Sequence, residues 1–120
     1  MKKISSLTIF FPSYYDAKTL PYLVCRAYQA AKRVSRSFEI LIIDDGSTDE
    51  TVDVVEIMKK KFSVLKIISH HKNLGYGAAL RTGFEHAKGE FVFYTDGDGQ
   101  YDPMELVSLA NKLTSGIDVI

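Results

Sequence analysis

Short β-rich apolar runs alternate with helical stripes four times along this chain, with no linker, repeat or low-complexity stretch between them. Leu7 to Phe11, Phe38 to Ile43, Val64 to Ile68 and Phe91 to Tyr94 read as strands. Pro12 cannot donate to a ladder, so the first strand is expected to stop there or lie at an edge. Leu20, Leu23, Val24, Ala27, Ala30, Ala31 and Val34 recur at three and four, marking an amphipathic helix. Val52, Val55, Met58 and Phe62 form the next stripe, behind an expected capping box with Ser47 as N-cap and Glu50 at N3. A third helix is predicted from about Gly75 to Ala87, with Ala78, Ala79, Phe84 and Ala87 inward and Gly89 as its C′ glycine. Asp102-Pro103 opens the fourth, whose stripe is Leu106, Leu109, Ala110 and Leu113, closed by Gly116. Ile117 to Ile120 reads as the start of a fifth strand.

Strand–helix alternation of this kind predicts one α/β domain, a mostly parallel sheet with helices on both faces. Polar clusters follow the strands at Ser13 to Asp16, Asp44 to Asp49 and Asp96 to Gln100. In a doubly wound sheet such positions share one edge, and ligands bind near the switch point. A strand order of 3-2-1-4 would bring these three loops to one crevice.

Asp96-Gly97-Asp98-Gly99-Gln100 carries the most chemistry. Its two glycines permit a sharp turn. Two carboxylates held about 4 Å apart repel by about 4 kcal/mol at an effective dielectric near 20. A hard dication such as Mg2+ or Mn2+ relieves that repulsion and takes its remaining ligands from phosphates. An acidic glycine-rich turn can equally be a solvated loop. An EF-hand fits poorly, since Tyr101 and Val107 stand where Gly and Glu are needed.

Other residues admit two readings each. Asp44-Asp45 is a polar strand end, or a pair of carboxylates accepting from a base and ribose. Tyr14 is a half-buried tyrosine or a base platform. Arg81 meets a phosphate or is solvated. Gly75-x-Gly77 lacks the third glycine of a dinucleotide fingerprint and follows the wrong strand, which argues against NAD. His70 and His86 read as structural or surface residues, and no histidines pair at i, i+4.

Composition excludes several classes. Fifteen basic residues cancel fifteen acidic ones, so nothing favours a bulk nucleic-acid or membrane-surface partner. The single cysteine, Cys25, rules out an internal disulfide and reads as helix packing. No apolar run approaches the ~20 residues of a membrane span. The expected setting is the cytoplasm, with the cytoplasmic face of a membrane as a variant.

Taken together, Phe11-Pro12-Ser13-Tyr14-Tyr15-Asp16, Ile43-Asp44-Asp45-Gly46-Ser47-Thr48-Asp49, Asn73-x-Gly75 with Gly77, and Asp96-Gly97-Asp98-Gly99-Gln100 resemble family 2 glycosyltransferases of the GT-A fold. Gln100 and Asp102-Pro103 are similar to the polyprenyl-phosphate sugar transferases, dolichyl and undecaprenyl. The resemblance implies a Rossmann-like nucleotide-binding half over residues 1–120 and a UDP- or GDP-linked sugar as donor. It implies inverting transfer to an acceptor, either a polyprenyl phosphate or a saccharide. By it, Pro12, Tyr14 and Asp16 line the base and ribose, Asp45 bonds the base, and Asp96 sits near ribose and metal. Asp98 and Gln100 hold the Mg2+ or Mn2+ against the diphosphate. Asp44, Gly75, Arg81 and Gly97 complete the candidate donor set. Relatives usually carry Asn-Glu where this chain has Tyr15-Asp16, which puts the contact of Asp16 in question. The resemblance also implies an acceptor half and catalytic residues beyond Ile120, hence donor binding with little transfer by these 120 residues alone. A non-catalytic nucleotide- or metal-binding module is the alternative. A phosphoacceptor receiver domain is disfavoured, because the acidic pair follows the second strand rather than the first.

Overall fold

The computed structural model describes residues 3–114. Four strands, β1 (Ile4–Ser13), β2 (Ser35–Asp44), β3 (Leu65–Ser69) and β4 (Phe91–Tyr94), alternate with four helices. These are α1 (Leu20–Val34), α2 (Thr51–Lys59), α3 (Tyr76–His86) and α4 (Glu105–Thr114). All pairings are parallel, as expected, and the order is β3-β2-β1-β4, the one that brings the three polar loops to one crevice. Gly116 and the expected strand at Ile117 to Ile120 lie outside the described residues, as does the side chain of Leu113.

Burial explains why these stretches form these elements. The central strands β1 and β2 are covered on both sides and read as near-continuous apolar runs. Leu7, Ile9, Phe11, Ile40 and Ile42 project to one face, against α1, α2 and α4. Phe10, Leu41 and Ile43 project to the other, against α3. All seven predicted stripe residues of α1 are buried, from Leu20 to Val34. Each large aliphatic side chain so buried contributes roughly 1.5–3 kcal/mol.

Several local expectations fail for identifiable reasons. β1 continues through Pro12 although it is a central strand. The Pro12 carbonyl accepts from Gly97 on the β4 side, so its nitrogen faces that side too. There β4 has already ended opposite Phe10, and no ladder bond is lost. The capping box does not form. Helix α2 begins at Thr51, whose N–H donates to Asp49 Oδ1 at 3.0 Å, while Ser47 Oγ accepts from the Tyr15 N–H. Phe84 is not inward but 50% exposed. Helix α3 instead seats Ala79 and Gly83 against the sheet, and a Cβ on Gly83 would lie 2.3 Å from the Phe10 ring. Phe84, one position on, meets Phe10 edge-on from the rim at 5.2 Å. Gly89 is no C′ residue, since Ala87 caps the helix. The chain passes so near β1 there that a Cβ would meet the Leu7 carbonyl carbon at 2.5 Å.

Candidate functional site

Because every strand points the same way, every segment that follows a strand emerges at one edge of the sheet. Pro12, Ser13, Tyr14 and Asp16 from β1–α1, Asp45 from β2–α2, and Asp96 and Asp98 after β4 line one cleft of about 310 Å³. The β3–α3 segment joins them, contributing Asn73, Gly75, Tyr76 and Ala79. Of the residues singled out from sequence, Pro12, Tyr14, Asp16, Asp45, Gly75, Asp96 and Asp98 thus meet. Ser13 and Asn73, which the sequence motifs contain without an assigned role, join them, and the structure adds Tyr76 and Ala79. Tyr76 follows a strand, and the parallel topology was the signal that could have found it.

The β1–α1 loop is folded by Asp16, whose Oδ2 accepts from the Tyr14 N–H at 3.0 Å and the Ser13 hydroxyl at 3.2 Å. Tyr15 takes φ +58, in the left-handed region that side chains disfavour. It is held there by Ser47 and by its own hydroxyl, 2.7 Å from Thr48 Oγ1. Its ring packs edge-on against Tyr14, 4.4 Å away, at the cleft mouth.

The acidic turn is anchored from both sides. The Gly97 N–H donates to the Pro12 carbonyl at 3.0 Å, and the Thr19 hydroxyl donates to the Gly97 carbonyl. Gly97 lies beneath Asp16, where a Cβ would come within 2.9 Å of Oδ2. Gly99 takes φ +85, and the Gln100 N–H donates to Asp98 Oδ1 at 3.1 Å. Arg26 of α1 grips Asp102 through two hydrogen bonds, 3.2 and 2.8 Å, and pins the end of the turn.

Asp44 and Asp45 part company because neighbouring side chains on a strand point to opposite faces. Asp44 is buried, and its Oδ1 accepts from the Ser47 N–H at 3.3 Å. It shapes the β2–α2 turn and does not line the cleft. Asp45 faces α3 and does. Arg81 is exposed on α3 and Gln100 is exposed in the turn; neither lines the cleft.

Electrostatics set the cleft apart. Burial raises the Asp16 carboxyl above its usual range, and the charges of Asp98 and Asp96 add to the rise. Tyr76 is pushed up to about 12, by burial first and then by its hydrogen bond to Asp96. Asp45 moves the other way. Burial opposes its ionisation, but His70 and the N–H groups of Leu74 and Gly75 overcome that penalty. None of Asp16, Asp96 and Asp98 forms an ion pair among the described residues.

Among the described residues, no group of three or more His, Cys, Asp or Glu side chains is gathered as a metal cage. The donor set fits a different kind of cation site. Asp96 and Asp98 would provide the one or two carboxylates with which Mg2+ or Mn2+ is ordinarily held when substrate phosphates complete the shell.

The family model described as glycosyl transferase family 2 matches residues 8–120. The chain belongs to that family. It is 33% identical over 118 residues to the undecaprenyl-phosphate 4-deoxy-4-formamido-L-arabinose transferase of Salmonella choleraesuis (strain SC-B67), which covers 98% of this chain and 36% of that protein. The mannosyltransferase PcManGT from Pyrobaculum calidifontis, solved in complex with GDP-Man and Mn2+, superposes with a TM-score of 0.74 at 25% identity, over 93% of this chain and 32% of that one. S. aureus TarS 1-349 in complex with UDP gives a TM-score of 0.74 at 25% identity, over 92% of this chain and 32% of that one. The chain therefore spans about a third of the length of these proteins. Its sheet and helices match the Rossmann-like, nucleotide-binding half of the GT-A fold.

Proposed function

We propose that this chain is the donor-binding part of a transferase that moves a sugar from UDP or GDP to an acceptor with inversion at C1. The carrying observation is the single cleft that joins an aromatic lip, a buried carboxylate with an amide-fixed orientation, and a pair of carboxylates without cationic partners. Tyr14 and Pro12 form the wall for the base, and Asp45 accepts a base N–H. Asp16 and Asp96 lie toward the ribose, and Gly75 and Gly97 let the backbone come close. Asp96 and Asp98 hold the divalent ion, Mg2+ or Mn2+, with Gln100 of the same turn as a third ligand that must swing in from outside the cleft. That ion, when bound, supplies positive charge to the departing diphosphate. In the reaction an acceptor oxygen forms a bond to C1 as the bond from C1 to the diphosphate oxygen breaks, and the nucleoside diphosphate leaves. Asp44 supports the fold in this reading, and Arg81 has no part in it.

The acceptor we propose is a polyprenyl phosphate, presented at the cytoplasmic face of a membrane. A relative named as an undecaprenyl-phosphate transferase, similar over 98% of this chain, supports that choice. A phosphate acceptor is already anionic and needs less help from a general base than an alcohol does. Calorimetric titration with UDP and with GDP, each with and without Mn2+, tests the donor reading. Metal-dependent binding of one nucleotide is expected; absence of binding by both overturns it.

A further inference from the structure

We propose that His70 is a positioning residue for donor binding: it touches no ligand, yet fixes the Asp45 carboxylate and the start of α3 on which the cleft depends. The inference rests on the donor-binding reading above.

Ser69 pairs with Asp44 at the end of the sheet, and the His70 N–H donates to the Asp44 carbonyl at 2.9 Å. His70 and Asp45 thus stand side by side, each one residue beyond the paired ends, and face α3 together. Nδ1 of His70 lies 2.8 Å from Asp45 Oδ1, and Nε2 lies 2.8 Å from Thr82 Oγ1 in the middle of α3. The imidazole side chain is only 10% exposed and that of Asp45 6%, whereas His71 and His86 are exposed. An ionised carboxylate can only accept, so Nδ1 carries the proton and donates to Asp45. In the neutral ring Nε2 then accepts from the Thr82 hydroxyl, and both ring ends are fixed.

Asp45 is the hub of this arrangement. Its Oδ1 accepts from the Leu74 N–H at 2.9 Å as well as from His70, and its Oδ2 accepts from the Gly75 N–H at 3.0 Å. A carboxylate offers about four acceptor sites, so three are occupied and one remains, on Oδ2. Rotating the carboxylate would break all three bonds. His70 is the only side chain among them, and it ties the hub to α3 through Thr82. Gly46 completes the fit, because the backbone of Lys72 and Asn73 crosses where its Cβ would stand, 2.4 Å from the Lys72 carbonyl carbon. His70 therefore sets which lone pair Asp45 turns to the cleft and where the β3–α3 segment delivers Tyr76.

Side-chain shape makes this testable in the 120-residue chain. The amide nitrogen of asparagine falls where Nδ1 sits, whereas that of glutamine falls nearer Nε2. His70→Asn should keep the donation to Asp45 and hold UDP or GDP with Mn2+ within about threefold of wild type. His70→Gln and His70→Leu should bind about tenfold more weakly, the order expected for losing one hydrogen bond to a charged group. Amide exchange at Leu74 and Gly75 should accelerate in both and not in His70→Asn. A mere packing role reverses the order, since leucine fills the space better than asparagine. Leucine binding like wild type, or asparagine no better than leucine, overturns the inference. Thr82→Val, which removes only the outer ring contact, should weaken binding about threefold; should the His70 variants fail to fold, unchanged affinity in Thr82→Val overturns it instead. If the wild type binds neither nucleotide, the donor reading fails on its own, and exchange at Leu74 and Gly75 still decides whether His70 positions the loop.

Discussion

The two ends of the parallel sheet use the same device to opposite effect. Level with the starts of β3 and β4, Glu39 accepts from the Thr8 hydroxyl at 2.7 Å and the Lys88 N–H at 2.8 Å, and Lys66 lies 3.4 Å from its second oxygen. At the end where the strands finish, Asp45 gathers His70, Leu74 and Gly75 in the same way. Each carboxylate folds a connection that the sheet itself cannot hold. The first end is then closed, with a lysine balancing its charge. At the second, Asp16, Asp96 and Asp98 remain close together with no basic partner among the described residues. A surplus of negative charge on a rigid frame favours any cation that enters, and this difference supports placing the proposed donor site at the second end.

The largest effect should come from Gly46. Alanine there combines a left-handed backbone, φ +84, with a backbone clash, and should cost about 2–4 kcal/mol of stability. Gly89→Ala at the opposite end meets a similar clash without the left-handed penalty. Denaturant melts of the two should rank Gly46 as the costlier; the reverse order would make the closed end the tighter one.

Asp98→Ala should weaken metal-dependent nucleotide binding by at least the roughly 10–100-fold typical of losing a partner merely behind a metal ligand. Because Asp98 is exposed, its melting temperature should stay near that of wild type. Unchanged affinity by calorimetry would remove Asp98 from the cation site. Glu39→Gln should do the converse, costing about 1–2 kcal/mol of stability while nucleotide affinity is untouched. An affinity change there would show that the two ends are coupled.

Acid should act on both ends, with one exception. Burial disfavours ionised Asp45 and Glu39, but their donors prevail, so both sit below the ordinary carboxylate values in the folded state. Their contribution to stability is complete above the unfolded values, about 4, and is lost as pH falls through the folded ones. Asp16, held above its ordinary value by burial and by Asp98 and Asp96, works in reverse and favours the folded state as it protonates. Asp16→Asn should therefore steepen the acid limb of a stability–pH curve, and a shallower limb would contradict the sign. The smallest effect is expected at Tyr15, the non-glycine residue with positive φ among the described residues. Asparagine tolerates that backbone, and Tyr15→Asn should stabilise by under about 1 kcal/mol, offset by the lost bond to Thr48.

Much of this architecture was legible in advance. The α1 stripe and the parallel sheet follow from periodicity and connection, and the loops after β1, β2 and β4 meet once the strand order is given. The misreadings share a cause. Spacing puts Phe84 inward, but Gly83 brings α3 too near Phe10 for a large ring to fit between. Ser47 fits a capping box by spacing, but Tyr15, 32 residues away, claims its hydroxyl. His70 reads as a structural or surface residue, and Asp45 and Thr82 at either end of its ring decide for the structural role.

The order of apolar and polar residues by itself determined a parallel α/β sheet and put each polar post-strand segment at one edge, because period and connection length are local properties. Only the tertiary structure decided that Asp45 rather than Asp44 serves the cleft, and that a histidine 25 residues away holds it. Side chains alternate across a strand, and only the face that receives α3 brings partners within hydrogen-bond reach.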